Sequence, residues 1–264
     1  MFVLGPVLAI VYGAGVRRLG RRGRAWPVSR SVAFGGGAMA LATSGAVPET
    51  SFVGHMAGHV LLGMAAPILL ALGRPVTLAL QSIDRPAKRR LLRVLHSGPA
   101  RTLVHPLVGF GVFGVTLVAL YLSPLFPLSL RNPVAHIAVH LHFLAAGCLF
   151  LWPVIGADPL PRPVPHGVRI LALVAAVPFH AFLGLALLST RVPLAPMAYP
   201  SLSDQHAAGA LLWASGELLT LVAAFIVLRG WMDADGRHAA RLDEQRFRNG
   251  ALTRVVRPES RADG

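Results

Sequence analysis

The stretch Ser51 to Gly73, SFVGHMAGHVLLGMAAPILLALG, limits what this chain can become more than any other. It is continuous and apolar and has no Asp, Glu, Lys or Arg. A helix needs about 20 such residues to cross the roughly 30 Å hydrocarbon core of a bilayer. Two histidines, His55 and His59, stand near its start. Residues four apart lie on one helix face, one turn above each other. Imidazole is costly in lipid, so this face should meet protein or a water-filled cavity.

Six further segments read the same way: Phe2 to Val16, Val32 to Val47, Val104 to Phe126, Val134 to Ile155, Val168 to Leu188 and His206 to Leu228. Only 14% of residues are charged, against about 25% in ordinary soluble domains. The class is therefore a polytopic membrane protein. The first segment is short, and its positive charge follows it as Arg17, Arg18, Arg21, Arg22 and Arg24. A signal peptide carries that charge in front. The expected fold is all-α, a membrane helix bundle of seven transmembrane helices over residues 1–231. A basic tail, residues 232–264, should lie on the surface or stay disordered.

A net charge of +14 could indicate nucleic acid, and the placement of the arginines decides otherwise. With the N-terminus outside, the first, third and fifth loops and the C-terminal tail face the cytoplasm. They hold 23 of the 25 Lys and Arg residues, leaving Arg131 and Arg191 outside. This asymmetry obeys the positive-inside rule and excludes a nucleic-acid partner. Within the third loop, KRRLLRVLHSG reads as a basic amphipathic helix lying on anionic membrane lipid. The lone Cys148 excludes an intramolecular disulfide and a CxxC metal motif. No nucleophile–base–acid arrangement is visible, so an enzyme is not expected.

The same topology gathers histidines. The third, fifth and seventh helices start on the outer side, which places His55, His59, His136, His140 and His206 at similar depth. The sixth helix runs the other way and brings His180 to that half. His142 lies about 200° around the helix from His140 and faces elsewhere. Neutral imidazole suits copper, iron and zinc, and paired histidines one turn apart can supply two ligands to one ion. Taken alone, His180 reads equally as an interhelical hydrogen-bonding group, and His206 as the wet start of its helix. Asp204 could orient a histidine. Glu217, deep in the seventh helix, suggests a polar interior or a proton-coupled role.

HMAGHVLLGMAAPILLALGRPVTL resembles the histidine-pair helix of the CtaG family, bacterial membrane proteins required to assemble caa-type cytochrome c oxidase. The likeness continues through HIAVHLHFLAAGCLFLWPVIGADP, FHAFLGLAL and SDQHAAGALLW, from Val32 to about Trp231. The matching positions are His55, His59, His136, His140, His180, Asp204, Gln205, Gly209 and Trp213. The resemblance implies a multi-spanning plasma-membrane factor for haem-copper oxidase biogenesis. A different, single-span copper chaperone shares the name, and the cysteine motif expected there is absent here.

The residues and the resemblance together point to an assembly factor that holds or passes copper on the outer side. The expected metal set is His55, His59, His136, His140, His180 and His206, with Asp204 and Gln205 behind it. Its partners would be an oxidase subunit and a periplasmic or extracellular copper chaperone. Two alternatives stay open. One is a b-type haem protein with axial histidines from two helices. The other is a copper transporter, for which the inner half offers only Glu217 and His105.

Overall fold

The computed structural model describes residues 2–161 and 163–256 and is helical throughout, with no strand among the described residues. Leu4–Gly20 forms α1 and Val28–Ser44 forms α2. Phe52–Leu72 is α3, which contains one π-helical turn at Leu61–Ala65. Three short helices follow: α4 (Pro75–Ser82), α5 (Arg85–Leu95) and α6 (Gly98–Leu103). Pro106–Tyr121 is α7 and Leu125–Arg131 is α8. Pro133–Ile155 is α9, His166–Ser189 is α10 and Leu202–Val256 is α11.

Local sequence chemistry places these boundaries. Ser51, Asp84, Ser97 and Asn132 each accept a backbone N–H of the helix they precede, satisfying donors that a helix start leaves open. Proline stands in the first turn of α4, α5, α6, α7 and α9, where its missing N–H is harmless. Gly156 ends α9 in the left-handed region at φ 59°, which glycine adopts without strain. Inside α3, Pro67 has no N–H to offer the Gly63 carbonyl, and its ring would crowd that carbonyl in a regular helix. The π turn at Leu61–Ala65 widens the helix just there.

Two apolar cores hold the bundle. The larger joins α3, α7, α9, α10 and α11 around Phe113, Phe150, Leu183 and Leu212. The smaller joins α1, α2, α3 and α4 around Phe34, Leu41, Leu62 and Leu78. In the smaller one Tyr12 stacks on Phe34 with centroids 4.0 Å apart and donates to the Gly73 carbonyl at 2.8 Å. Large apolar side chains nevertheless stay exposed on several helices, among them Ile10, Val115, Leu171 and Leu221. Such a surface suits lipid rather than water.

Four helices are long and apolar enough to cross a membrane: α3, α9, α10 and the first part of α11. The pair α7 and α8, bent by 74°, makes a fifth if taken as one span. The expected fourth span ran to Phe126. Instead the helix stops at Tyr121, and the Ser123–Pro124 break turns the chain into α8. Length and composition thus account for four or five of the seven expected spans. With 17 residues each, α1 and α2 reach about 25 Å. Residues 232–256, expected as a separate tail, continue α11 in the same helix, and residues 257–264 lie outside the described residues.

Candidate metal centre

The histidine pairs stand at the starts of α3 and α9, and each start is pinned from outside its own helix turn. Asp204, the third residue of α11, accepts the N–H of Phe52 at 2.5 Å and of Val53 at 3.3 Å. Its carboxylate therefore caps α3, adding to Ser51, and complements the positive end of the helix dipole. Asn132 caps α9 through the N–H groups of Val134 and Ala135, at 2.9 and 3.2 Å. These two anchors place His55 and His59 opposite His136 and His140.

The four imidazoles pack directly on one another. Ring centroids are 4.3 Å apart for His55–His59 and for His136–His140, 5.0 Å for His59–His140 and 5.4 Å for His55–His136. The Nε2 atoms of His136 and His140 face each other at 3.1 Å. Glu49, in the turn before α3, completes the group. Its carboxylate lies 3.3 Å from His136 Nε2, 4.0 Å from His140 Nε2 and 3.8 Å from His55 Nδ1. One ligand atom from each of Glu49, His136 and His140 falls within 4.8 Å of the others, the spacing a shared metal ion needs. The adjoining His55 ring, with His136 and His140 adding to it, holds the Glu49 carboxyl down at about 2. Glu49 escaped the sequence reading, although a lone acid in an outer turn six residues before His55 was its visible signal.

Burial without hydrogen-bond partners favours ligation. His59 Nδ1 and the Tyr121 hydroxyl lie 2.5 Å apart, and that hydroxyl donates to the Met56 sulfur at 3.5 Å. Which nitrogen of His59 carries the ring proton depends on whether that hydroxyl donates to Nδ1 or to the sulfur, and Nε2 is the nitrogen turned away from Tyr121. That Nε2 is buried without a partner, as are both ring nitrogens of His55. Unpaired buried nitrogens cost stability, and a metal ion would relieve the cost. Phe52, Phe126 and Tyr199 stack in the wall beside His55, with Phe52–Tyr199 centroids 5.3 Å apart. Phe143 stacks on His59 at 4.5 Å.

The remaining expected residues stand apart from this group. His180 is 1% exposed and lines a small space of about 10 Å³ that also touches Met56, His59, Met64 and Tyr121. That is room for about one water. Its ring nitrogens form no hydrogen bond, although the Ala176 carbonyl one turn back lies beside it. Gly216 admits the His180 ring, since a Cβ there would meet His180 Cγ at 2.7 Å. His206 Nε2 lies 3.1 Å from the Thr190 carbonyl. Gln205 accepts the Leu194 N–H at 2.7 Å and donates to Thr190 at 2.5 Å. Both residues thus tie down the loop that carries Tyr199. Asp204 contacts backbone rather than a histidine. Gly209 and Trp213 serve the close crossing of α10 and α11 at Gly184. Glu217 is half-buried, with no partner among the described residues. His105 caps α7.

An all-α fold with membrane-length helices and a histidine–carboxylate group at one end defines the class: a helical membrane protein built around paired histidines. The sequence matches the family described as cytochrome c oxidase caa3 assembly factor (Caa3_CtaG) over residues 10–234, and the chain belongs to that family. The match begins well before Val32 and takes in most of α1. The chain is 39% identical over 260 residues to an uncharacterized protein of Mycobacterium bovis and, equally, to one of Mycobacterium tuberculosis. An uncharacterized protein of Mycobacterium leprae is 37% identical over 258 residues. Each alignment covers 90% of this chain, which spans only 39% of the length of each relative. No solved structure matches the chain.

Proposed function

We propose that this chain serves the assembly of a caa-type haem-copper cytochrome c oxidase by holding copper at the histidine–carboxylate group and passing it to an oxidase subunit. The observation that carries the proposal is the convergence of Glu49, His136 and His140 with the His55 and His59 rings packed against them, three buried imidazole nitrogens of that pair having no hydrogen-bond partner. Imidazole and carboxylate suit Cu(II), and the thioethers of Met56 and Met64, which line the same small space as His59, suit Cu(I). His180 would then be a deeper ligand or a polar neighbour, and His206 a loop anchor. The role is non-catalytic. In this reading the protein crosses the bacterial plasma membrane seven times, counting α1, α2 and the bent α7–α8 pair. The arginine distribution puts the histidine end outside, where an extracytoplasmic copper chaperone could load it.

Two features favour this reading over its rivals. The imidazoles pack on one another and on aromatic rings, which suits an ion better than a porphyrin between two axial ligands. Beyond His180, towards the basic end, the larger core holds Phe150, Val154 and Leu173, an apolar plug that suits retention better than transport.

Copper analysis of purified protein tests the proposal. Wild type should take up copper, whereas His136→Ala/His140→Ala and Glu49→Gln should take up much less while keeping their helical circular dichroism. Equal copper in all three would sink the site. A Soret band on haem supplementation would favour the haem protein instead. Deleting the protein in its host should lower the copper content of the oxidase and spare its haem.

A further inference from the structure

At the end of α3 away from the histidines, α3, α9, α10 and α11 leave a second, larger cavity of about 590 Å³. Four arginines line it: Arg74, Arg169, Arg229 and Arg237, joined by His166. Asp233 is the one carboxylate among the described lining residues. No described carboxylate lies within 4.0 Å of any of these guanidinium groups. Arg229 and Arg237 are exposed while Arg74 and Arg169 are half-buried, and four cations facing one acid leave the cavity net positive, which suits an anion.

The arginines are also placed rather than merely present. Arg74 holds a left-handed backbone at φ 51°, and burial, with Arg30 adding to it and Asp158 opposing, lowers its pKa. Arg169 donates from Nε to the Val164 carbonyl at 2.8 Å, which fixes its stem. Its guanidinium lies over Gly156, where a Cβ would meet Arg169 Cζ at 2.5 Å. That close approach requires glycine at 156 twice over, for space and for φ. The terminal nitrogens of Arg169 have no protein acceptor among the described residues. A fixed guanidinium fork with free donors matches phosphate oxygens. Leu72 and Phe225 add apolar wall beside the charges, and the cavity is far larger than an inorganic phosphate.

We infer that this cavity binds a phosphate-bearing anion, seated between Arg169 and the Arg229–Arg237 stretch of α11, independently of the histidine group. The phosphate comes from an anionic phospholipid headgroup or from a soluble phosphate, and basic pockets between membrane helices are suited to the former. Delipidated full-length protein in neutral detergent is titrated with phosphatidylglycerol, phosphatidylcholine and inorganic phosphate, with binding read by native mass spectrometry. Phosphatidylglycerol should bind and phosphatidylcholine should not, or inorganic phosphate should bind in their place. Arg229→Gln/Arg237→Gln should weaken the binding by about tenfold or more, and Arg229→Lys/Arg237→Lys should retain most of it. Asp233→Asn, which removes the opposing carboxylate, should tighten it. His55→Ala/His59→Ala should leave it unchanged. Phosphatidylglycerol and phosphatidylcholine binding alike, with no phosphate uptake, overturns the inference. So does affinity indifferent to Asp233→Asn or to loss of the two arginines.

Discussion

Asp204 stands 152 positions from Phe52, yet its carboxylate closes the first turn of the helix that carries His55 and His59. Asp204→Ala should cost about 1 kcal/mol of stability, the usual value of a helix cap, and Asp204→Asn, which keeps an acceptor oxygen, should cost less. Thermal melts in detergent check this, and an Asp204→Ala protein that melts with wild type would remove Asp204 from the site's support. Glu49 makes a pH prediction with a definite sign. Its folded pKa, about 2, lies below its ordinary 4.5. Its stabilising contribution in the metal-free protein is therefore complete above about pH 4.5 and is lost as pH falls towards 2. The melting temperature gap between wild type and Glu49→Gln should shrink from about pH 6 to about pH 3.5. Because Glu49 is 40% exposed on its side chain, solvent screening keeps the gap small.

Among the elements, α3 and α9 set the spacing of the two histidine pairs. They come into close contact where Gly147 meets the Gly63 carbonyl. A Cβ on residue 147 would meet the Gly63 carbonyl carbon at 2.8 Å and Pro67 Cγ at 3.0 Å. Because the obstacle is backbone and a rigid ring, Gly147→Ala must push the helices apart, costing about 1–3 kcal/mol. The variant should lose copper uptake out of proportion to its loss of helicity. Retained copper with a lowered melting temperature would mean that the spacing of α3 and α9 is not critical. The α10–α11 crossing behaves alike: a Cβ at Gly184 would meet Trp213 Cβ at 2.7 Å. There the expected injury is to stability, with the first histidine pair untouched.

For the molecule as a whole, charge is the organising quantity. The basic segments flank one end of the helices, and the histidine group occupies the other. A cysteine placed in the turn at Glu49, in a Cys148→Ser background, should react with an impermeant maleimide added to intact cells. One placed in Arg85–Leu95 should not react until the membrane is opened. The reverse pattern would invert the orientation and put the proposed copper site on the wrong side for an extracytoplasmic donor. The exposed apolar belt of α1, α2, α9 and α10 fits lipid contact on most sides of the bundle.

The sequence by itself determined the helical class, the rough extent of each apolar segment and the pairing of histidines one turn apart. These are matters of local periodicity, length and charge, which need no knowledge of distant residues. Tertiary structure alone decided which groups meet. Glu49 and Tyr121 joined the histidines because neighbouring helix ends converge there. Asp204 and Gln205 turned to backbone and loop because the start of α11 lies beside α3. His180 fell one cavity deeper and His206 bonded the Thr190 carbonyl. The break after Tyr121 and the continuation of α11 through residues 232–256 were equally illegible, since a Ser–Pro step and a polar sequence permit more than one local outcome. Depth along a helix follows from counting residues. The direction a side chain faces, and what faces it, depends on packing between segments far apart in the chain.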